Sequence, residues 1–470
     1  MVLALFVLNI NVVYYTSHTI ALIGLARSLQ NLSFTLDPSL CDYSGYVIDV
    51  VSIDGRCILA APPGLPLILS QVYRVSSMAG IQDPLLVGGV VVAIFGSLAV
   101  FVSWLLSMII TGDRRASIFS AMAIALSGPL WVYSTHIFPQ AVLGFTYGVL
   151  VYLAMRASLG GLGVLGHVAA GFTASLSALL DPAMVPAIVA IAIVILVRYL
   201  KDPERLRAPI YTGLFLAGAS PLAIFLLIYN TSTTGNPLVF PEQLWLERLG
   251  IRNHGFVTPL PLGIYMLIAD PRKGLITLYP VFIMALVYIA RMLSTIPSSY
   301  VRAVYAVSIV SPLIVHSAWY DVDGGLSFGP RFIVPLTTLL APPIAYAYKH
   351  SRVARIAVIP LIIYGIAVNS ITVTTTPYPS SLEDLKPWQN QFINSVFPHL
   401  LSDVRSSYLY SLLRALGEPL STWVALLINT GLPIAVIGTF IKITKDTKNR
   451  SRDQASREGR LHLDSFQLLL

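Results

Sequence analysis

Residues 303–348 read "AVYAVSIVSPLIVHSAWYDVDGGLSFGPRFIVPLTTLLAPPIAYAY". Two apolar runs, 303–318 and 333–348, enclose a polar connection. A helix needs about 17–25 predominantly apolar residues to cross a bilayer core, and each run with its flanks reaches that scale. The connection carries Asp321, Asp323, Gly324, Gly325, Gly329, Pro330 and Arg331. A helix–helix turn is complete in about two to five residues, so this chemistry exceeds what a turn requires. The stretch therefore reads as two membrane helices joined by part of a site.

The same alternation runs along all 470 residues, of which 56% are hydrophobic and 11% charged. Soluble domains carry roughly 25% charged residues. The chain reads as an all-α, polytopic transmembrane bundle; a membrane barrel would show short alternating strands instead. Twelve spans are expected, at 1–15, 84–110, 117–137, 139–155, 166–180, 183–199, 208–229, 275–293, 301–318, 332–348, 356–372 and 421–441. The first span has little lead before it, and it lacks the basic flank and small-residue cleavage site of a signal peptide.

The net charge of +8 follows membrane topology rather than nucleic-acid binding. Most Lys and Arg fall on one side of the twelve spans, as the positive-inside rule requires. That side holds "GDRR" at 112–115, "RYLKDPERLR" at 198–207, "KHSRVAR" at 349–355 and the basic tail 442–470. Both termini are then cytoplasmic in a multi-pass plasma-membrane protein. The tail reads as a disordered topology anchor with affinity for anionic lipid. The module 1–441 has outer loops at 16–83, 230–274, 319–331 and 373–420.

Long loops carry function more often than packing. The first opens with a helical apolar face of Ile20, Ile23, Leu25, Ala26 and Leu29, suited to lying in the membrane interface. "PPGLPLILSQVY", 62–73, restarts a helix with proline in its first turn. The only two cysteines, Cys41 and Cys57, lie here. On an oxidising face they are either a disulfide or two separate buried thiols, and two cysteines with no nearby histidine make a poor zinc site. In the second loop a short interfacial or re-entrant helix breaks at Asp270-Pro271, followed by Arg272 and Lys273. Those cations stand against the positive-inside bias, so they either bind a lipid phosphate or snorkel to headgroups. Asp181 reads as a helix break. Asn31 and Asn230 begin short glycosylation sequons.

Several of these stretches resemble the GT-C superfamily of polytopic membrane glycosyltransferases, in an archaeal and bacterial group that uses polyprenyl-phosphate-linked sugars. The resemblance is carried by Asp49, Gly55 and Pro63-Gly64 at the family spacing, by "GNPLVFP" at 235–241, by "PRKGLITLYPV" at 271–281, and by Trp319, Gly324, Gly325, Ser327, Gly329, Pro330 and Arg331. It departs after the first span, where "YYTSHT", 14–19, has no acid, and at Ala60 and Ala61, where the group often has an acid and a base.

The resemblance implies transfer of a sugar from a polyprenyl-phosphate donor to a glycan, lipid or protein acceptor at the outer face. Such transfer needs a carboxylate to take the acceptor's proton and a cation for the leaving phosphate. Asp49 is the expected base, with Asp54 and Asp42 behind it. Its neighbours Val47, Ile48, Val50 and Val51 are apolar, which favours a raised pKa. Asp54 also reads as an Asp-Gly turn. Arg331 is the expected phosphate ligand, with Arg272 and Lys273 beside it. Trp319, Asp321, Asp323, Gly324, Gly325, Ser327 and His18 are expected to hold substrate. Asp321 and Asp323 are open to three roles: orienting Arg331, binding a divalent metal, or holding sugar hydroxyls. His316, His254, Tyr14, Tyr15 and Trp388 are further candidates to line the cavity. The alternatives are a lipid or glycan transporter or flippase, and a non-catalytic GT-C-like assembly subunit. A transporter places polar groups mid-membrane on broken, repeated helices; here they cluster in loops.

Overall fold

The computed structural model describes residues 1–12, 16–42, 49–201, 207–251, 253–325, 327–375, 386, 389–396, 407–413 and 420–442. Tyr14, Tyr15, Trp388 and the tail beyond 442 lie outside them.

The chain starts with α1 (Val2–Leu8), α2 (Ser17–Gln30) and α3 (Ser39–Asp42). A hairpin of β1 (Val50–Ile53) and β2 (Arg56–Leu59) follows. Among the described residues it is the one sheet in an otherwise helical chain, and it turns at Asp54 (φ 49°) and Gly55 (φ 73°). Left-handed backbone at both central residues matches the twist of a tight hairpin, which is why Asp-Gly is found there. The disulfide Cys41–Cys57 joins α3 to β2, settling the alternative that the sequence left open. Closing a loop of this size contributes roughly 3 kcal/mol in the chain-entropy model.

Then come α4 (Gly64–Met78), α5 (Pro84–Thr111), α6 (Arg114–Ser127), α7 (Leu130–Tyr133), α8 (Gln140–Ser158), α9 (Val164–Leu180), α10 (Val185–Lys201) and α11 (Ala208–Thr234). The second half holds α12 (Pro241–Arg248), α13 (Leu260–Ile268), α14 (Leu275–Leu278), α15 (Phe282–Thr295), α16 (Ser299–Ser317), α17 (Val334–Thr337), α18 (Ala341–His350), α19 (Arg352–Thr374), α20 (Tyr408–Leu413) and α21 (Leu420–Lys442).

Among the described residues, seven helical segments are long and apolar enough to cross a membrane alone: α5, α8, α10 with the turn before it, α11, α16, α19 and α21. The other expected spans are shorter or broken. Gly128-Pro129 separates α6 from α7, and 332–348 divides into short turns before α18. Of the expected first span, 1–15, residues 13–15 lie outside the described residues, and among the others the helix is Val2–Leu8. Pro335, Pro342 and Pro343 explain the second break, since proline lacks the amide that continues a helix. The expected interfacial helix is α2, whose apolar face is buried against α4.

The core lies among α5, α6, α8 and α18. By contrast α10 and α11 turn most of their apolar side chains outward, Ile193, Ile224 and Leu227 among them. A helix that is apolar all round and unburied suits lipid as its solvent. Close backbone approach fixes α9 on α11: a Cβ on Gly171 would run into the Phe215 carbonyl, and one on Gly218 into the Val168 carbonyl. Small residues allow this contact where no hydrophobic effect drives helices together. Asn230, the second sequon, is buried in α11 and donates to the Pro237 carbonyl, which closes it to modification.

The chain's first and last described helices are tied by an amide pair. Asn9 and Asn429 exchange two 2.8 Å hydrogen bonds, and Asn429 also donates to Thr374 at 3.1 Å. Leaving one buried amide unpaired costs about 1–3 kcal/mol. We expect Asn9→Leu and Asn429→Leu each to lower the thermal midpoint in detergent, and the double variant to be no worse than the weaker single. Additive losses in that cycle would show that the pair is not coupled.

Candidate active site

The connections at one end of the bundle converge on a cavity of about 810 Å³. They come from the start of α2, the hairpin, the α7–α8 and α9–α10 turns, α12, and the loop after α16. These are the connections that the charge pattern assigns to the outer side. Ligand cavities run to roughly 300–1,000 Å³.

The glycine-rich loop 319–330 is pinned along its length. Thr258 donates to the Trp319 carbonyl at 2.6 Å, and the Trp319 ring meets Phe256 edge to face. Lys273, 1% exposed, donates to the Gly325 carbonyl at 2.7 Å and pairs with Asp323 at 3.4 Å. Gln391 accepts from the Gly329 amide and donates to the Ser327 carbonyl. Tyr133 donates to the Phe328 carbonyl.

This scaffold positions Arg331. Its side chain crosses directly over Gly324, where a Cβ would stand 2.7 Å from Cγ and 2.9 Å from Nε. Gly324 also has φ +75°, a backbone that side-chain-bearing residues rarely adopt. The guanidinium lies 4.7 Å over the Phe332 ring, and His316 stacks on the same ring at 5.3 Å. The nearest carboxylate, Asp321, is 3.7 Å away, beyond hydrogen-bonding distance. Nε is buried without a partner. Arg331 is thus a cation fixed in a cavity wall with its hydrogen-bonding capacity unspent. We expect Gly324→Ala to displace Arg331 and lower activity at least tenfold. Backbone strain of about 1–3 kcal/mol is too small to unfold a protein of this size. Activity assays beside a thermal melt separate the two effects.

Across the cavity, Asp49 sits just before β1, and its carbonyl accepts from the Ala60 amide at 2.9 Å. Its carboxylate meets His18 Nδ1 at 3.2 Å, and the His18 ring stacks on Phe138 at 5.1 Å. The expectation of a raised pKa is corrected. Burial pushes Asp49 upward, but the charge and hydrogen bond of His18, with Arg331 beyond, outweigh it and hold the carboxyl below its usual value. Asp49 is a persistent carboxylate.

The other expected residues separate clearly. Trp319, Asp321, Gly324, Gly325, Ser327 and His18 line the cavity, as do His254 and His316. Burial, opposed by Arg331 and reinforced by Asp323, raises the Asp321 pKa. Asp54 is exposed at the hairpin tip and Asp42 is exposed at the end of α3, so neither faces the cavity. Asp323 pairs with Lys273, not with Arg331. Arg272 forms a two-pronged pair with Asp270, at 2.9 and 2.6 Å. Both basic residues of that pair are therefore engaged in holding loops. Among the described residues no three His, Cys, Asp or Glu side chains are gathered to hold a metal ion.

Three lining residues escaped the sequence reading. Asp181 caps the turn before α10, as a helix break should, yet its carboxylate also lies 3.3 Å from His316 Nε2. Gln140 opens α8 and is 7% exposed, with Oε1 lacking a partner. Glu242 stands in the first turn of α12. Each follows a proline or precedes one at a helix start, a pattern that reads equally well as plain capping.

No family model matches this sequence, and no curated protein matches it. Solved structures do. The crystal structure of ArnT from Cupriavidus metallidurans bound to undecaprenyl phosphate aligns with a TM-score of 0.52 at 13% identity, covering 93% of this chain and 76% of that one. The apo ArnT structure aligns with a TM-score of 0.50 at 13% identity, over 78% of this chain and 61% of that one. The archaeal oligosaccharyltransferase AglB from Archaeoglobus fulgidus, in complex with an inhibitory peptide and a dolichol-phosphate, gives a TM-score of 0.48 at 13% identity, over 91% and 54%. The chain thus spans less than two thirds of the apo ArnT chain. The likeness to ArnT is one of fold: the chain shares its polytopic helical membrane architecture.

Proposed function

We propose that the protein is a membrane glycosyltransferase that moves a sugar from a polyprenyl-phosphate donor to an acceptor hydroxyl or amide in this cavity, at the outer face of the membrane. The observation that carries the reading is Arg331: a guanidinium held rigidly on a cavity wall, with a buried Nε lacking a hydrogen-bond partner among the described residues. A phosphate supplies the two parallel acceptors that a guanidinium lacks here. An Arg272 or Lys273 role in phosphate binding would require breaking the contacts with Asp270, Asp323 and Gly325 described above.

In the proposed step the acceptor's hydroxyl oxygen or amide nitrogen attacks the anomeric carbon of the sugar. The bond from that carbon to the phosphate oxygen breaks, and its electron pair stays on the lipid phosphate beside Arg331. The acceptor's proton goes to the His18–Asp49 pair. Asp49 engages Nδ1, so Nε2 is the ring nitrogen left to accept it. Trp319, Asp321 and the backbone around Gly324 and Gly325 are the proposed contacts for the sugar. The protein reconstituted in liposomes with radiolabelled polyprenyl-phosphate sugars, and with glycolipid and peptide acceptors, tests this. Label should leave the donor lipid only when an acceptor is present. Donor that merely crosses the bilayer unchanged would establish a transporter instead.

A further inference from the structure

Glu242 is the one cavity carboxylate for which no hydrogen bond or ion pair is found among the described residues. Asp49 has His18, Asp181 has His316, and Asp321 faces Arg331. Glu242 is not a mobile surface acid. Its helix α12 is docked on the hairpin, where Trp245 packs with Val51, Ile58 and Ala60, and Arg248 donates to the Ser52 carbonyl. The carboxyl lies within electrostatic reach of Asp181, Asp49 and Arg331. The other titratable groups on this cavity are His18, His254, His316, Tyr320 and Asp321.

Arg331 and Glu242 line the same cavity, so a phosphate seated on Arg331 falls within electrostatic reach of this carboxyl. As a carboxylate, Glu242 would add a negative charge beside Asp49 and Asp181 and repel the ligand. As a carboxylic acid it becomes a donor, and a neutral one. We propose that Glu242 acts as a carboxylic acid that donates a hydrogen bond to a phosphate oxygen of the lipid-linked substrate, so that the cavity accepts its ligand only while this proton is in place. The inference rests on the lipid-phosphate reading above. Burial, then Asp181 and Asp49, push the Glu242 pKa up to about 8, with Arg331 pulling the other way. The group is thus protonated at neutral pH, and the proton is lost as pH rises through that value.

Two measurements test this. The first is binding of undecaprenyl phosphate to the purified protein at about pH 7 and about pH 9. Wild-type affinity should fall about tenfold over that interval, as linkage to a single proton requires. In Glu242→Gln the ratio of the two affinities should fall well below the wild type's, because the amide keeps a donor and cannot ionise; the change that remains belongs to Asp321 and Lys273, which burial also brings toward this window. A wild-type affinity that does not change, or a Glu242→Gln ratio equal to the wild type's, overturns the proposal. The second is infrared titration of the carboxylic-acid carbonyl band, with Glu242→Gln subtracted. A band that is lost from the wild type near pH 8 and missing from the variant supports the neutral acid; no difference between the two proteins sinks it. If undecaprenyl phosphate binds at no pH, the donor assignment itself falls, while the infrared result still decides the state of Glu242.

Discussion

Arg331→Ala should lower sugar transfer by roughly 10²–10³-fold, the scale set by removing one preorganised group that stabilises charge developing in a transition state. The expectation rests on how the residue is held. Phe332 below it, Gly324 beneath its stem and the pinned loop fix the guanidinium before any ligand arrives. Such a group loses little freedom on binding, so its removal forfeits stabilisation rather than flexibility. Arg331→Lys should recover only part of the loss, because an ammonium cannot form the forked contact. The variant should fold, since among the described residues no hydrogen bond of the Arg331 side chain is found whose loss would leave a partner unpaired. Near-normal transfer by a folded Arg331→Ala protein would exclude this residue as the phosphate ligand.

The second large effect concerns His18 and Asp49. Asp49→Asn and His18→Ala should each lower kcat by roughly 10²–10⁴-fold, the range of general acid–base contributions. Donor affinity should change far less, because neither residue is proposed to contact the phosphate. The sharper result is the double variant. If Asp49 serves by orienting and charging His18, removing both should cost no more than removing one. Two losses that multiply would mean that the residues act independently, and would return the base to Asp49 alone. The lowered Asp49 pKa bears on this choice. A carboxylate held below its usual pKa is a weaker base than the isolated group, so the imidazole it engages is the better proton acceptor.

The fold was legible because membrane helices are written in composition. A bilayer demands long apolar segments, and segments such as Pro84–Thr111 and Arg352–Thr374 appear within a few residues of where their hydropathy predicts. Breaks were harder to place. The prolines of 335–343 are visible in the sequence, but proline inside a membrane helix is tolerated when neighbours satisfy the freed carbonyls. Pro312 in α16 is tolerated in that way, the Ser308 carbonyl accepting from the Tyr147 hydroxyl, and α19 runs on through Pro360. Nothing local distinguishes those cases from the broken stretch.

The site was half legible. Arg331, Asp321, Gly324 and Trp319 could be picked out because their loop carries more polar chemistry than a turn needs; His18 was named only as a substrate contact, and its pairing with Asp49 was not visible. Asp49 was set ahead of Asp54 and Asp42 by the family spacing; the hairpin turn, already readable at Asp54, and a helix end at Asp42 carry those two away from the cavity. Arg272 and Lys273 looked like phosphate ligands because they oppose the charge bias, but Asp270 and Asp323 neutralise them from within.

What the sequence by itself determined is the solvent of each segment: apolar runs for lipid, polar connections for one end of the bundle, and a loop too rich in glycine and charge to be a plain turn. Those properties are additive along the chain. The partner of each charge is not additive, and only the tertiary structure decided it. Asp49 joins His18 across 31 positions of sequence, Lys273 joins the 319–330 loop, and Asp181 and Glu242 reach the same cavity as Arg331 from two other connections. An ionisable side chain in a site poor in water takes its charge state from whatever folds against it, so its chemistry exists only once those distant segments have packed together.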